Sequence, residues 1–138
     1  MSFLLDTVVL SELRKTQPSR NVTRWLKMHP PQSLYISVVS IGEIERGIEK
    51  ARKTDAAFSR ELTRWLDHLL SHYDDQVLPV TANISRLWGR LSSNLGHEGA
   101  DLLIAATAIT HNFTVVTRNV KHFAPTGARV LDPFIAKP

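Results

Sequence analysis

Short apolar segments alternate along the chain with longer stretches in which apolar residues recur at helical spacing. We interpret the apolar segments as strands at residues 3–5, 34–37, 77–80 and 113–116, with a short fifth strand at 129–131. Consecutive strands separated by helices need crossover connections, and such connections place the strands parallel. The sequence therefore predicts an α/β fold with a mostly parallel sheet of four to five strands flanked by helices.

Helices are predicted where apolar residues repeat every three or four positions. The predicted ranges are 7–14, 21–28, 38–52, 55–72, a helix that includes 84–91, and 98–111. The sequence contains no internal repeat and no low-complexity linker that would divide it. We therefore expect a single domain over residues 1–138.

Composition excludes several kinds of chemistry. The chain has 0 cysteines, so disulfides, thiolate catalysis and cysteine-ligated zinc are ruled out. No segment approaches the roughly 20 apolar residues that a membrane helix needs, and no basic segment precedes an apolar one at the N-terminus. We expect a cytoplasmic protein without membrane contact. The net charge of +4 favours a polyanionic partner, although many soluble proteins carry a similar charge.

Three carboxylates lie in apolar sequence: Asp6, Glu43 and Asp101. Asp6 follows the first predicted strand, Glu43 lies one to two turns into the helix after the second, and Asp101 opens a helix. Ligands of open α/β sheets bind beyond the carboxyl ends of the strands, where residues 117–119 also follow the fourth strand. Burying unpaired carboxylates is costly, and a hard divalent cation with oxygen ligands would remove that cost. The pattern indicates metal-dependent chemistry.

Each acid also has a purely structural interpretation. Asp6 could cap the helix that follows it, Glu43 could be a solvated helix residue, and Asp101 could complement a helix dipole. On the helix that carries Glu43, Ser40 and Gly47 share its line, and Gly47 would allow close approach of another group. Because all three acids fall at one predicted edge of the sheet, the functional interpretation is favoured.

Four segments resemble, in order, the motifs of the PIN-domain family. They are residues 5–13, 42–48, 101–108 and 116–119. The most similar branch is the VapC/FitB-like one, the toxin components of type II toxin–antitoxin systems. The resemblance spans nearly the whole chain and implies a PIN-like three-layer fold. It also implies a Mg²⁺- or Mn²⁺-dependent endoribonuclease that a small antitoxin keeps inactive.

The resemblance assigns roles residue by residue. Asp6, Glu43 and Asp101 match the metal-binding acids of the family, with Glu43 acting directly or through water. Many members have a fourth acid at the position of Asn119 or three residues later, where this chain has His122. Asn119 offers an amide oxygen but no charge, so we expect one tightly bound ion and weak binding of a second.

Substrate contacts are inferred from residues near the predicted cleft, and partners mainly from the resemblance. Thr117, Arg118 and Arg46 are candidates to contact substrate phosphates. The implied partners are an RNA substrate, a cognate antitoxin, operator DNA through that antitoxin alone, and a second copy of the chain. Exposed apolar residues on the predicted helix 55–72 are expected to serve the homodimer and an antitoxin groove.

Two other functions compete with the nuclease. The first is a weakly active or inactive PIN domain that acts mainly as the binding partner of a DNA-binding antitoxin in operon autoregulation, and Asn119 and His122 favour it. The second is a phosphoryl-transfer domain of the receiver or phosphatase type. The segment Asp6-Thr7-Val8 lacks the second acid expected in such phosphatases, which counts against that class.

Overall fold

A parallel sheet forms the centre of the molecule, which a computed structural model describes over residues 1–135. The strands within that range are ordered β3-β2-β1-β4-β5, and every pairing is parallel. They are β1 (Phe3–Leu5), β2 (Leu34–Ser37), β3 (Val77–Leu78), β4 (Thr114–Val116) and β5 (Val130–Leu131). The predicted α/β class and parallel sheet are confirmed. Residues 136–138 of the predicted domain lie outside the described residues.

The helices follow the predicted periodicity closely. They are α1 (Thr7–Arg14), α2 (Arg20–Lys27), α3 (Val38–Thr54), α4 (Ala56–Tyr73), α5 (Ala82–Leu95), α6 (Ala100–His111) and α7 (Val120–Phe123). Helix α7 was not predicted, because a single turn is too short to show helical periodicity. Strand β3 is shorter than the predicted 77–80: Val77–Leu78 ends just before Pro79, which has no N–H to donate to a sheet.

Side-chain caps explain where most of the helices begin. An oxygen of the residue before the helix accepts a backbone N–H of its first turn, as is common for Ser, Thr and Asp. The capping residues are Asp6 for α1, Ser19 for α2, Ser37 for α3, Asp55 for α4 and Thr81 for α5. These polar residues at strand–helix and helix–helix junctions set the boundaries that the apolar pattern alone leaves open.

Two apolar clusters lie on opposite faces of the sheet. Along β1, Phe3 and Leu5 point into a cluster shared with α1 to α4, whereas Leu4 points into a second cluster with Ile104 of α6 and Phe123 of α7. This alternation follows from the two-residue repeat of a strand, and it buries β1 on both faces. The result is the three-layer arrangement expected from the resemblance.

One expectation about α4 was wrong. Its apolar side chains are not exposed: Leu66 and Leu69 are buried, and Leu62, Trp65 and Leu70 pack against the same core cluster. These residues stabilise the chain itself, since α3 and α4 pack together on the sheet. The large apolar side chains exposed within residues 1–135 lie elsewhere: Met1, Met28, Val38, Ile109, Val120 and Ile135.

The strand order determines where a site can form. The chain moves from β1 outward through β2 to β3, then returns to the other side of β1 with β4. Ligands of such sheets bind at the carboxyl ends of the strands where the direction of winding reverses. Here that point lies between β1 and β4, where the N–H of Asp6 donates to the carbonyl of Val116 at 3.0 Å.

Within residues 1–135, none of the helices has the length and apolar character needed to cross a lipid bilayer.

Two glycines, one inside α5 and one that ends it, are predicted to change stability in opposite directions when replaced by alanine. A Cβ at Gly89, inside the helix, would meet nothing within 4 Å. Gly89→Ala should therefore raise the free energy of unfolding by about 1 kcal/mol, because alanine loses less backbone freedom on folding. Gly96 is the matched control: it ends α5 in the left-handed region at φ 77°. Alanine there should lower the free energy of unfolding by about 1 kcal/mol. Urea titration measures both, and shifts of the same sign would contradict the argument.

Candidate functional site

Asp6 occupies the switch point between β1 and β4 and is only 5% exposed. One carboxylate oxygen accepts the N–H of Thr7 at 2.8 Å, and the other accepts the hydroxyl of Thr117 at 2.7 Å. The first of these contacts caps α1, so the structural interpretation of Asp6 is correct. Capping alone does not explain the second contact, which holds the other oxygen at the end of β4.

The electrostatic surroundings of Asp6 are unfavourable for its charged form. Burial raises the pKa of its carboxyl from 3.8 to about 6, against the opposing hydrogen bonds from Thr117 and Thr7. The nearby charges of Asp101 and Glu43 contribute to this increase. Both of the other acids named from the sequence therefore act electrostatically on Asp6, as expected for side chains near one edge of the sheet.

Thr117 links the end of β4 to Asp6 and is fully buried. Its hydroxyl donates to Asp6 and accepts the N–H of Asn119 at 2.9 Å, while its own N–H donates to the carbonyl of Leu131. Asn119 is thereby held beside the site at the start of α7. The observed role of Thr117 is to position Asp6, and its contact with a substrate stays a prediction.

Glu43 reaches the site through Thr7. The hydroxyl oxygen of Thr7 lies 2.6 Å from a carboxylate oxygen of Glu43 and 2.8 Å from the hydroxyl oxygen of Ser40, which is buried. A hydroxyl carries one hydrogen and a carboxylate only accepts, so Thr7 donates to Glu43 and accepts from Ser40. The sequence analysis placed Ser40 and Glu43 on one helix line but missed Thr7, the residue that connects them.

Gly47 leaves the space beside it open, and close approach of another group to it stays a prediction. A Cβ at this position would meet nothing within 4 Å, so no described group approaches closely enough to require glycine.

Asp101 lies in the first turn of α6 with about a third of its side chain exposed. One of its carboxylate oxygens is 3.1 Å from Nδ1 of His122 on α7. The sequence analysis noted His122 only as a position without a fourth acid. Its contact with Asp101 comes from the packing of α6 against α7, which no local pattern predicts.

The two candidate phosphate-binding arginines make no polar contact with the acids within residues 1–135. The guanidinium carbon of Arg118 is 3.7 Å from the centre of the Phe134 ring, a stacking arrangement that leaves its N–H groups at the edge. Arg46 is exposed on α3, one turn after Glu43. Within residues 1–135, neither arginine forms a hydrogen bond or ion pair with Asp6, Glu43 or Asp101.

The acids do not form a closed metal cage. Among residues 1–135, no three Asp, Glu or His side chains lie close enough to enclose an ion. Mg²⁺, however, usually keeps several waters and is held by only one or two carboxylates, all through oxygen. Asp6 supplies a buried carboxylate whose unfavourable surroundings a cation would relieve. The oxygen donors present thus fit a hydrated hard cation.

The raised pKa of Asp6 predicts how stability depends on pH without metal. Between about pH 4 and 6 the folded protein binds more protons at Asp6 than the unfolded chain does. The contribution of Asp6 to the free energy of unfolding is therefore greatest below this window. It falls by about 3 kcal/mol as the pH rises through the window, for a shift of this size. Urea unfolding in EDTA, compared with Asp6→Asn across the same range, isolates this contribution. Parallel curves for the two proteins would contradict it.

Comparison with known proteins places these features in a family. The PIN domain family matches residues 3–126, and the chain belongs to that family. A VapC ribonuclease, Y4jK of Sinorhizobium fredii, is 32% identical over 95% of this chain and 96% of its own. A chain in the structure of FitAB bound to the IR36 DNA fragment shares 27% sequence identity with this one. The two superpose with a TM-score of 0.83 over 99% of this chain and 98% of that one. A toxin–antitoxin complex from Klebsiella pneumoniae is 28% identical with a TM-score of 0.69, covering 96% and 98%.

Proposed function

We propose that the chain is the toxin component of a type II toxin–antitoxin system and a metal-dependent endoribonuclease that hydrolyses RNA phosphodiester bonds. The observation that carries the proposal is the buried Asp6 carboxylate at the switch point, subject to the charges of Asp101 and Glu43. Membership of the PIN family and similarity to a VapC ribonuclease support the reaction and the substrate.

In this proposal Asp6 and Asp101 hold Mg²⁺ or Mn²⁺, Glu43 acts directly or through water, and Asn119 adds a weak amide oxygen. A cation held there would supply positive charge to stabilise the negative charge that develops on the phosphate during hydrolysis. The protein supplies fixed donor positions. Thr117 holds Asp6 and Thr7 holds Glu43, so these oxygens need little rearrangement during the reaction.

Arg118 and Arg46 would bind phosphates on either side of the reacting one. Arg118 stacks its guanidinium face on Phe134, which keeps the group in place while its N–H edge remains free for an anion. Arg46 follows Glu43 by one helical turn, so an RNA strand that reaches Glu43 would pass near it. Such contacts would add affinity without reading the base sequence.

The proposed partners are a cognate antitoxin, operator DNA bound only through that antitoxin, and a second copy of the chain. Two solved relatives support the first two partners, since one is a toxin–antitoxin complex and the other is bound to DNA. The homodimer rests on the resemblance alone, because the apolar face of α4 is used inside the chain.

The experiment that tests the activity is RNA cleavage by purified, antitoxin-free protein in Mg²⁺, Mn²⁺ or EDTA. A circular RNA substrate distinguishes an endonuclease, which opens the circle, from an exonuclease, which cannot start on it. Cleavage with metal and none in EDTA is the expected result. A folded protein that leaves RNA intact with either metal would overturn the nuclease.

A second function has an observation of its own. Asn119 and His122 stand at the two positions where the family resemblance leads us to expect a fourth acid, which favours a weakly active domain that serves mainly as the antitoxin's partner in operon autoregulation. The same cleavage assay separates the two functions. Binding of the antitoxin with no cleavage would support this alternative.

A further inference from the structure

Among the described contacts, His122 is the one histidine whose ring nitrogen lies next to an acid of the candidate site. Its Nδ1 lies 3.1 Å from a carboxylate oxygen of Asp101. His122 is held in the first turn of α7, where its backbone N–H donates to the carbonyl of Asn119 at 3.0 Å. The backbone N–H of Asn119 donates to the hydroxyl of Thr117, which donates in turn to Asp6. This chain of hydrogen bonds connects the turn to the buried acid.

The distance between the two side chains is that of an ordinary hydrogen bond or ion pair, and it is equally compatible with a shared cation. Neighbouring ligands of an octahedral ion with bonds of about 2.1 Å are separated by about 3 Å. The nitrogen of His122 and the oxygen of Asp101 already stand this far apart. Both could bind one ion with little movement, provided that Nδ1 carries no hydrogen in the metal-bound protein.

We infer that His122 is a nitrogen ligand of the candidate metal site and makes that site bind Mn²⁺ in preference to Mg²⁺. The inference rests on the proposed function, because it takes Asp101 as a metal-binding acid. Mg²⁺ favours oxygen ligands, whereas imidazole suits first-row transition metals better. A histidine in place of an acid also removes a negative charge, which weakens the site for Mg²⁺ in particular.

The surroundings of His122 supply a matched control. A surface depression of about 510 Å³ is lined by Leu95, His97, Asp101, Lys121, His122 and Pro125. His97 is thus a second imidazole in the same depression, but its Nδ1 is occupied by the N–H of Gly99 at 3.2 Å. Lys121 places a positive charge beside the site, which makes a loosely held surface cation unfavourable here.

The test measures metal binding without RNA. Pulsed electron paramagnetic resonance of protein-bound Mn²⁺ detects the nitrogen of a coordinated imidazole, and competition with Mg²⁺ gives the selectivity. We expect nitrogen coupling in the wild type and in His97→Ala, and none in His122→Asp or His122→Ala. His122→Asp should reduce the preference for Mn²⁺ over Mg²⁺ at least about tenfold.

Three results would overturn the inference. They are Mn²⁺ bound without nitrogen coupling, coupling that survives in both His122 variants, and no Mn²⁺ binding. Circular-RNA cleavage with Mg²⁺ and with EDTA is measured on the same preparations, and it judges the proposed function separately. A wild type that cleaves with Mg²⁺ but shows no nitrogen coupling would reject the role of His122 and keep the nuclease. Two His122 variants guard against a substitution that misfolds, although the side chain is 63% exposed.

Discussion

Asp6→Asn is expected to reduce RNA cleavage at least about a hundredfold while the protein stays folded. The substitution removes the charge of the most buried acid of the site but keeps the size and an oxygen acceptor for the N–H of Thr7. Its amide can donate to the oxygen of Thr117, which at present donates to the carboxylate. Loss of activity would therefore reflect lost charge rather than a lost cap.

The same variant should be more stable than the wild type in EDTA at pH 7. The wild-type carboxyl has its pKa raised to about 6, so its charge is present at pH 7 at a cost to folding that asparagine avoids. Cleavage rate and urea midpoint are measured on both proteins, with Asp67→Asn on the exposed face of α4 as the control. A variant that cleaves as fast as the wild type would remove Asp6 from the proposed mechanism. A variant that is inactive and also less stable would indicate a structural effect.

Asp101→Asn should also cost at least about a hundredfold in cleavage, with a different effect on stability. Asp101 is partly exposed and lies in the first turn of α6, where an acid favours the helix dipole. At pH 5, where Asp6 with its pKa of about 6 is mostly uncharged and does not repel Asp101, asparagine should therefore lower the free energy of unfolding by about 0.5 kcal/mol, rather than raise it. Activity and stability would thus change in the same direction here and in opposite directions at Asp6.

Glu98→Gln, just before α6, is the matched control for Asp101. It removes an acid near the same helix terminus and should leave cleavage unchanged.

The double variant Asp6→Asn, Asp101→Asn should cleave RNA only slightly more slowly than either single variant, because the effects of residues that act as one unit are strongly non-additive. Independent, multiplying effects would mean that the two acids do not serve one site.

Much of the fold could be predicted because it depends on local patterns. The apolar run of β1 and its neighbouring helix α1 have the predicted bounds, because the continuous apolar run and the 3.6-residue repeat that indicate them each involve only residues close together in the chain. The short helix α7 could not be predicted, since one turn carries no period. The apolar residues of α4 were assigned to the surface because a periodic stripe does not say whether it faces its own sheet or a partner.

The sequence by itself determined the α/β class, and it singled out the three candidate acids because a carboxylate in apolar sequence is visible without coordinates. Only the tertiary structure decided which groups hold those acids. Thr117 is 111 positions from Asp6, Thr7 is 36 from Glu43, and His122 reaches Asp101 only because α7 packs near α6. Such contacts depend on strand order and register, which set distances between segments far apart in the chain, and local periodicity does not encode them.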